Sequence, residues 1–483
     1  MKISELLKGL DCRFVGCQDE DVTGLCYDSR AAAQGQLFFA IRGYQTDGHR
    51  YVPGALASGC AAAVVEQAPD DKGPYIVTPD TRRALAVASN AFFGHPARGM
   101  KLIGVTGTNG KTTVTHLVKG IIEQCEGAKV GLIGTNHILI GGEVIPADRT
   151  TPESYEMFRL LAQMRDAGCR YAVMEVSSHA LALDRVYGLH FAVAAFTNLT
   201  RDHLDFHGTM EEYARAKGIL FTRCDKAAVN LDDEWCAPIT GEMKQGRLTF
   251  SAKDDAAQLV AKNIRLKADR VEFEAVIDGN IGRVSLAIPG MFSVYNALCA
   301  FGIGLQLGYD FADLISVMRQ LRGVKGRIEV VPTGTDYTVI IDYAHSPDGM
   351  ENVLKAVRGF AQGRVIALFG CGGNRDRTKR PIMGRTGGQN ADLCIVTTDN
   401  PRDEDPQSII DDILPGLEGC PAEVHVIVDR REAIRHALDI AQAGDVVVLM
   451  GKGHETYQEI RGVKHHLDER EEIAAHLAAK RGQ

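Results

Sequence analysis

The chain has 483 residues, too many for one hydrophobic core, and this length predicts two to four globular domains. A formal net charge of −8 and a pI near 6.0 argue against binding to nucleic acid or to an anionic membrane, because both need a basic surface. Twelve scattered cysteines without a Cys-x-x-Cys pair indicate reduced thiols, and no run of apolar residues is long enough to span a bilayer. We therefore expect a cytoplasmic protein without membrane insertion, whose partners are small molecules.

From the N-terminus to about residue 97, short β-like runs alternate with helical pieces. The clearest runs are residues 37–41 (Leu-Phe-Phe-Ala-Ile) and 61–65 (Ala-Ala-Ala-Val-Val). The turn-rich residues 94–99 (Gly-His-Pro-Ala-Arg-Gly) predict a linker. The first predicted domain is therefore 1–98, of α/β type.

A phosphate-binding loop opens the second predicted domain, 99–328. Residues 101–106 (Lys-Leu-Ile-Gly-Val-Thr) predict a strand, and residues 107–113 (Gly-Thr-Asn-Gly-Lys-Thr-Thr) predict a glycine turn and a helix N-terminus. The apolar positions 114, 117, 118, 121 and 122 share one helical face. In such a turn the backbone N–H groups and Lys111 face phosphate oxygens, and the Thr112 hydroxyl can ligate Mg²⁺. Val105 replaces the first glycine of the usual pattern, which favours a shortened Gly-x-x-Gly-Lys-Thr loop over a generic NTPase.

Two further strands are predicted in this domain, at residues 171–176 and 191–197, and their alternation with helices predicts a mostly parallel sheet. Glu175, at the end of the first of these strands, suits a carboxylate ligand for phosphate-bound Mg²⁺, but a surface ion pair is equally compatible with its position. The loop after the second strand holds Asp202, His203, Asp205 and His207. Taken alone, that loop is best interpreted as a polar turn, and Lys217 as an ordinary helix residue.

The third predicted domain, 329–483, repeats the strand and helix alternation in a Rossmann-like arrangement. Its β-branched runs are residues 339–342, 364–369, 393–398 and 445–450. Polar or glycine-rich loops follow the last three of these runs, at 370–375, 399–402 and 451–455. Ligands bind beyond the carboxyl ends of the strands in open α/β sheets, so these loops are expected to share one crevice.

Taken together, the motifs resemble the Mur ligase family, in the family's order and over nearly the whole chain. The motifs that carry this resemblance are residues 107–113, 175–181 (Glu-Val-Ser-Ser-His-Ala-Leu), 198–205 (Asn-Leu-Thr-Arg-Asp-His-Leu-Asp), 290–296 (Gly-Met-Phe-Ser-Val-Tyr-Asn), 326–329 (Gly-Arg-Ile-Glu) and 342–347 (Asp-Tyr-Ala-His-Ser-Pro). Residues 26–30, 150–152, 370–377 and 399–402 resemble the family members that add the third residue of the peptidoglycan stem peptide. The resemblance implies three α/β domains: a UDP-substrate-binding domain, an ATP-binding domain and an amino-acid-binding domain.

The resemblance also implies the reaction and its cofactors. ATP would phosphorylate the D-glutamate carboxylate of UDP-N-acetylmuramoyl-L-alanyl-D-glutamate, and an amine would then attack the acyl phosphate. Two Mg²⁺ ions and a carbamate on Lys217 are implied, because a carbamate turns a cation that repels Mg²⁺ into an anionic oxygen ligand. We expect a monomer with a role in cell wall synthesis, cell shape and cell division.

The residue roles that the resemblance implies fall into five groups. The catalytic residues are Lys111, Glu175, His203 and Lys217, and the metal ligands are Thr112, Glu175, His203 and Lys217. The ATP-binding residues are Gly107, Thr108, Asn109, Gly110, Lys111, Thr112, Thr113, Asn296, Arg327, Asp342 and His345. The residues for the UDP substrate are Ser29, Tyr44, Gln45, Thr46, Thr150, Thr151, Ser177 and Arg185. The residues for diaminopimelate are Arg375, Asp399, Asn400, Pro401, Arg402, Gly451 and Glu455.

The loop at residues 399–402 (Asp-Asn-Pro-Arg) predicts which amino acid is added. Arg402 can make a two-point contact with a carboxylate, which meso-diaminopimelate has at its distal end and L-lysine lacks. With lysine a buried Arg402 would lose its partner, at a cost of about 3–5 kcal/mol. By the resemblance, Glu455 faces the distal ammonium and Arg375 the other carboxylate. We therefore expect meso-diaminopimelate, although these residue types also form ordinary turns.

Several alternatives remain open at this point. An L-lysine-adding form of the same ligase would share every motif except the loop at residues 399–402. Folylpolyglutamate synthase shares the phosphate loop but would not carry residues 26–30 or 399–402. The Mur ligase that adds D-Ala-D-Ala would lack the latter loop. A nucleotide-dependent switch would bind ATP and attach nothing.

Overall fold

The structure is a computed structural model that describes residues 1–43, 46–69, 73–147, 149–241, 243 and 245–481. Its contacts divide the chain into two compact units. The first unit holds residues 1–250 and 299–309, and the second holds residues 251–298 and the chain from residue 310 onward. Within the described residues, no helix is both long enough and apolar enough to cross a membrane.

The N-terminal part of the first unit is a five-stranded sheet with three helices. Its elements are α1 (Ile3–Leu6), β1 (Arg13–Val15), β2 (Gly24–Cys26), β3 (Gln36–Phe39), α2 (Val52–Ala57), β4 (Ala62–Val65), β5 (Tyr75–Val77) and α3 (Thr81–Phe92). The strand order is β1-β5-β4-β3-β2, and only β1 is antiparallel. Leu37 and Phe39 belong to one apolar cluster and Phe38 to another, so β3 is buried on both faces. This explains why the two predicted strands are continuous apolar runs.

The rest of the first unit is built on a larger sheet that carries the phosphate loop. Its elements are β6 (Lys101–Thr106), α4 (Lys111–Glu126), β7 (Val130–Ile133), β8 (His137–Ile140), β9 (Glu143–Pro146), α5 (Ser154–Asp166), β10 (Tyr171–Glu175), α6 (Ser178–Ala182), β11 (Phe191–Phe196), α7 (Leu204–His207), α8 (Met210–Gly218), β12 (Cys224–Asn230), α9 (Cys236–Thr240) and β13 (Arg247–Ser251). The order is β13-β12-β11-β6-β10-β7-β8-β9. The strands from β13 to β7 are parallel, and β8 and β9 extend the sheet as antiparallel strands.

The second unit combines a small antiparallel sheet with a Rossmann-like sheet. Its elements, of which α10 also contributes residues to the first unit, are β14 (Leu259–Leu266), β15 (Val271–Ile277), β16 (Asn280–Leu286), α10 (Met291–Leu307), α11 (Phe311–Met318), β17 (Glu329–Val331), β18 (Thr338–Asp342), α12 (Pro347–Arg358), β19 (Val365–Phe369), α13 (Lys379–Asn390), β20 (Leu393–Val396), α14 (Pro406–Ile413), β21 (Glu423–Val426), α15 (Arg430–Ile440), β22 (Val446–Met450), β23 (Tyr457–Ile460), β24 (Val463–His466) and α16 (Glu469–Arg481).

The Rossmann-like sheet has the order β17-β18-β22-β19-β20-β21, with only β17 antiparallel. Its two faces pack into two separate apolar clusters, so the central strands are buried on both sides. The strands β18, β22, β19 and β20 are neighbours and parallel, which brings the loops after them to one edge, as the sequence predicts. The α/β class and the mostly parallel sheets are confirmed.

Candidate active site

The phosphate loop joins β6, in the middle of its sheet, to the N-terminus of α4. Gly107 has a φ of 144° and Gly110 a φ of 88°, both in the region that favours glycine. A Cβ atom on Gly107 would lie 1.9 Å from the Thr197 hydroxyl oxygen, so no larger residue fits there. Asn198 holds the turn by accepting from the N–H groups of Thr108 (2.8 Å) and Asn109 (3.0 Å). The loop leads directly into the N-terminus of α4, the end of a helix that favours anions.

Two lysines converge on one carbonyl of this loop. Gly107 O accepts from Lys111 Nζ and from Lys217 Nζ, at 2.9 Å each. Lys217 has an exposed fraction of 1 % and lies 4.5 Å above the ring centre of Tyr213. Burial, and secondarily the charge of Lys111, lowers the pKa of Lys217 well below its ordinary value. Burial thus makes Lys217 easier to deprotonate than an exposed lysine.

Glu175 lies at the centre of a hydroxyl network at the end of β10. Its exposed fraction is 1 %. One carboxylate oxygen accepts from the Thr112 hydroxyl (2.9 Å) and the Thr135 N–H (2.8 Å), and the other accepts from the Thr135 hydroxyl (3.1 Å). The Thr135 hydroxyl also lies 3.0 Å from that of Thr150. The structure therefore brings together Thr112 and Glu175, two predicted metal ligands, and connects them to a residue predicted for the UDP substrate.

The residues predicted for the dipeptide end of the substrate lie next to Glu175. The Thr151 hydroxyl donates to the Glu175 carbonyl (2.8 Å) and accepts from the Ser177 N–H (3.1 Å). Arg185 donates to the Thr151 carbonyl (3.2 Å) and forms an ion pair with the buried Glu153 (3.4 Å). Thr150, Thr151, Ser177 and Arg185 are thus one continuous group.

Arginines outnumber carboxylates beside this group. Glu153 has two further arginine neighbours, Arg82 at 3.3 Å and Arg149 at 4.0 Å. Three guanidinium groups around one carboxylate leave a local excess of two positive charges, which suits an anionic substrate. Sequence reasoning missed Arg82, and nothing in its helical position could have indicated it.

His203 belongs to an aromatic cluster and not to the Glu175 network. Its ring centre lies 4.8 Å from that of His179, and its Nε2 lies 3.5 Å from Asp202. His207, which stacks on Tyr213 with ring centres 4.9 Å apart, contacts the Ser178 hydroxyl at 2.9 Å. Burial, aided by the positive charges nearby, lowers the pKa of His207 to about 4, so this imidazole is neutral. The described residues contain no group of three or more His, Cys, Asp or Glu side chains able to hold a metal ion.

The second unit contains a separate polar cluster at the predicted diaminopimelate loops. Asp399 and Asn400 follow β20, and Gly451, Lys452 and Glu455 follow β22. The Asn400 amide donates to Glu455 Oε2 at 2.9 Å. Gly451 has a φ of 111°, and a Cβ there would lie 2.4 Å from Asp399 Oδ2. The structure therefore brings four predicted residues together, and it adds Lys452, which sequence reasoning missed although the pattern Gly-Lys-Gly isolates it.

Arg402 lies at the same edge, in a left-handed backbone conformation with a φ of 50°. Its guanidinium donates to the Gly373 carbonyl (2.9 Å) and forms an ion pair with Glu459 (3.3 Å). The sequence argument treated Arg402 as a cation without a protein partner, and that premise is wrong because Glu459 pairs with it. A Cβ on Gly373 would lie 1.9 Å from the Pro401 carbonyl oxygen, which fixes the approach of the two loops. Arg375 is exposed in the neighbouring loop.

Three of the predicted ATP residues, Arg327, Asp342 and His345, lie at the end of β18. Asp342 is buried, and its two oxygens accept from the N–H groups of Ile328 (2.8 Å) and Ala344 (2.7 Å), while burial raises its pKa. Ile328 has a φ of 41°, a costly conformation for a β-branched residue that the Asp342 contact holds in place. Arg327 lies over the Tyr343 ring, and its buried Nε has no hydrogen-bond partner within the described residues. His345 is exposed, and Asn296 is buried in α10.

The predicted contacts to the UDP end are only partly described. Ser29 begins a short 3₁₀ helix (Ser29–Ala31) whose N-cap is Asp28. The Thr46 hydroxyl lies 3.1 Å from that of Tyr51. Tyr44 and Gln45 lie outside the described residues. The roles of these residues stay predictions.

Three family models match consecutive parts of the chain: the Mur ligase family catalytic domain over residues 21–100, the Mur ligase middle domain over 105–304, and the glutamate ligase domain of Mur ligases over 326–453. UDP-N-acetylmuramoyl-L-alanyl-D-glutamate–2,6-diaminopimelate ligase of Caldanaerobacter subterraneus subsp. tengcongensis is 45 % identical, over 99 % of both chains. A solved structure of a ligase of the same name is 32 % identical with a TM-score of 0.74, covering 100 % of this chain and 99 % of the other. MurF ligase of Thermotoga maritima in complex with ADP has a similar fold, with a TM-score of 0.56, 18 % identity, and coverage of 94 % of this chain and 98 % of the other.

Proposed function

The chain belongs to the Mur ligase family, and on that basis we propose that it is the ATP-dependent ligase that adds meso-diaminopimelate to UDP-N-acetylmuramoyl-L-alanyl-D-glutamate in peptidoglycan precursor synthesis. The observation that carries the proposal within the fold is the shared carboxylate of Glu175. Thr112 of the phosphate loop bonds to it directly, and Thr150 of the dipeptide group is connected to it through Thr135. A nucleotide phosphate and an acceptor carboxylate would therefore meet at one place.

The proposed reaction has two steps, formation of an acyl phosphate and its conversion to an amide. An oxygen of the D-glutamate side-chain carboxylate attacks the γ-phosphorus of ATP, which forms an acyl phosphate and releases ADP. The free amine of diaminopimelate then attacks the acyl carbon, which forms the amide and releases phosphate and a proton. Lys111 and the N–H groups of the loop bind the β- and γ-phosphates, and the excess positive charge around Arg185 holds the anionic dipeptide.

The residues present fit Mg²⁺, which prefers oxygen ligands and keeps several of its waters. The Thr112 hydroxyl and the buried Glu175 carboxylate are adjacent oxygen donors, and a set completed by phosphate and water oxygens needs no dense protein cluster. When bound, Mg²⁺ neutralises charge on the phosphate oxygens. We assign Thr112 and Glu175 to this ion, and His203 and Lys217, as its carbamate, to a second ion.

A carbamate forms when a neutral amine attacks CO₂ and loses a proton, so only the unprotonated lysine reacts. The lowered pKa of Lys217 supports this assignment, because burial increases the share of the neutral amine that can react. Its nitrogen would keep one N–H for the Gly107 carbonyl. Arg402 and Glu455 are assigned to the distal carboxylate and ammonium of diaminopimelate.

The decisive experiment measures phosphate release and the peptide product together. Phosphate is expected only when ATP, the UDP-linked dipeptide and diaminopimelate are all present, with a product heavier by one diaminopimelate residue in the mass spectrum. Release of ADP and phosphate without a lengthened peptide would refute the ligase assignment. Faster product formation with L-lysine would refute only the choice of amino acid.

A further inference from the structure

Lys452 is a fully buried cation in the second unit, with an exposed side-chain fraction of 0 %. Its Nζ contacts three oxygens: Asn400 Oδ1 at 2.9 Å, Glu455 Oε2 at 3.2 Å and Asp399 Oδ1 at 3.4 Å. Removing an ammonium group from water is costly unless charged partners compensate for it. The chain places this buried charge at the centre of the loops proposed to bind the amino acid.

Lys452 fixes the orientation of the Asn400 amide. Asn400 Oδ1 accepts from Lys452 and also from the Glu459 N–H at 2.9 Å, so the amide NH₂ points the other way. That NH₂ donates to Glu455 Oε2. Glu455 Oε2 therefore receives one hydrogen bond directly from Lys452 and one from the amide that Lys452 orients.

Lys452 also sets the charge of the pocket. Asp399 and Glu455 carry two negative charges and Lys452 one positive charge, while Arg402 and Glu459 neutralise each other. The remaining charge is one negative. The distal end of diaminopimelate is a zwitterion, with an ammonium and a carboxylate, whereas the distal end of lysine is a cation only. A more negative pocket would repel the carboxylate of the first and attract the second.

We propose that Lys452 is a positioning and specificity-determining residue, which orients Glu455 through Asn400 and keeps the pocket from accepting a purely cationic side chain. This inference rests on the proposed function, because it assumes that these loops bind the incoming amino acid. Loss of Lys452 would weaken the binding of both amino acids by disordering Glu455, because both carry a distal ammonium. It would also make the pocket more negative, which disfavours the distal carboxylate of diaminopimelate and favours lysine, so this charge effect changes the selectivity.

The test compares Lys452→Met with the native enzyme, using meso-diaminopimelate and L-lysine as alternative substrates. We expect the ratio of kcat/KM for diaminopimelate to that for lysine to fall at least about tenfold, with the KM values for ATP and the UDP-linked dipeptide changed less than about twofold. A structural defect alone would lower both rates by the same factor. An unchanged ratio would overturn the inference.

Two further variants make the result interpretable. Lys464→Met is the matched control. Both lysines lie over the Tyr457 ring, Lys452 at 5.8 Å and Lys464 at 4.2 Å, but Lys464 is exposed and lies outside the cluster. This variant should leave the ratio unchanged. If Lys452→Met does not fold, Lys452→Gln removes the same charge with a polar side chain, and its ratio must also fall. A native enzyme that makes no tripeptide with either amino acid would instead refute the proposed function.

Discussion

Replacing Arg402 with alanine tests how the enzyme distinguishes diaminopimelate from lysine. The structure sets the expected magnitude, because Arg402 is not alone when lysine is bound: Glu459 lies 3.3 Å from it, and 23 % of its side chain is exposed. The penalty of about 3–5 kcal/mol for an unpaired buried charge therefore does not apply in full. What diaminopimelate gains is a charge-assisted hydrogen bond of about 1.5–3 kcal/mol to its distal carboxylate.

This free energy corresponds to a factor of about 10–150 in rate. We expect Arg402→Ala to lower kcat/KM for diaminopimelate by about this factor and to change kcat/KM for lysine by less than about threefold. The assay is steady-state phosphate release with each amino acid. Arg461→Ala, an exposed arginine on the adjoining hairpin, is the matched control and should alter neither rate.

Equal loss of rate with both amino acids would refute this reasoning, since it would mean that Arg402 supports the fold of the loop and does not contact the substrate. The Glu459→Gln variant separates a collapsed loop from a lost contact. It frees the guanidinium, so it should preserve or increase the preference for diaminopimelate if Arg402 binds a carboxylate.

Three other predictions follow from buried groups. Lys217→Ala should lower turnover about 10–100-fold, because the second metal loses a ligand, and added formate or acetate should restore part of it; unchanged activity of the bare variant would contradict the metal role. Arg430→Met should lower the free energy of unfolding, measured in urea, by about 3–5 kcal/mol, because the fully buried Glu469 carboxylate loses its partner at 2.7 Å. The double variant Arg430→Met/Glu469→Leu should recover much of this loss. The pKa of His207 is about 4 in the folded protein, against an ordinary value of 6.5, so between these pH values the unfolded chain binds more protons. The free energy of unfolding should therefore fall as the pH falls from 6.5 to 4, and His207→Gln should flatten that dependence.

Local sequence signals were sufficient for the elements that carry the nucleotide. The apolar run at residues 101–106 and the glycine turn after it predicted β6 and the start of α4, and both are confirmed. Val114, Leu117 and Ile121 are buried, as their helical spacing predicted. Such signals succeed here because a strand buried on both faces and a helix packed on one face each leave a distinct apolar period.

The antiparallel additions to the sheets could not be predicted in the same way. β8 alternates partly buried and buried residues over only four positions, and β9 has no buried residue. Nothing in their sequence specifies which strand they pair with. The small sheet of β14 to β16 escaped prediction for the same reason. Pairing depends on register and on loop geometry, which a single strand does not encode.

Contacts between segments that are far apart in the sequence could not be predicted either. Thr135 stabilises the Glu175 network in the first unit, and Lys452 stabilises the cluster of Asp399, Asn400 and Glu455 in the second. Each lies in a loop, where charge and periodicity do not indicate its partner. The ion pair between Arg402, in a loop, and Glu459, in β23, changed the energetic argument for selectivity. The residue type predicts which contacts a side chain can make, but only the fold determines which neighbour it contacts.

The two lysines that donate to the Gly107 carbonyl affect each other's charge state. Burial lowers the pKa of Lys217, and the ammonium on Lys111 lowers it further because it disfavours a second ammonium nearby. A neutral Lys217 can react with CO₂ and gain a negative charge, which the positive charge of Lys111 would then favour instead of oppose. These charges determine the order of events. Lys217 must first be neutral to react with CO₂, and any cation that binds near the loop afterwards stabilises the anionic carbamate. A Lys111→Met variant should therefore weaken carbamylation as well as phosphate binding, and a ¹³C NMR signal from ¹³CO₂ on Lys217 that is as strong as in the native enzyme would show that the two lysines are not coupled.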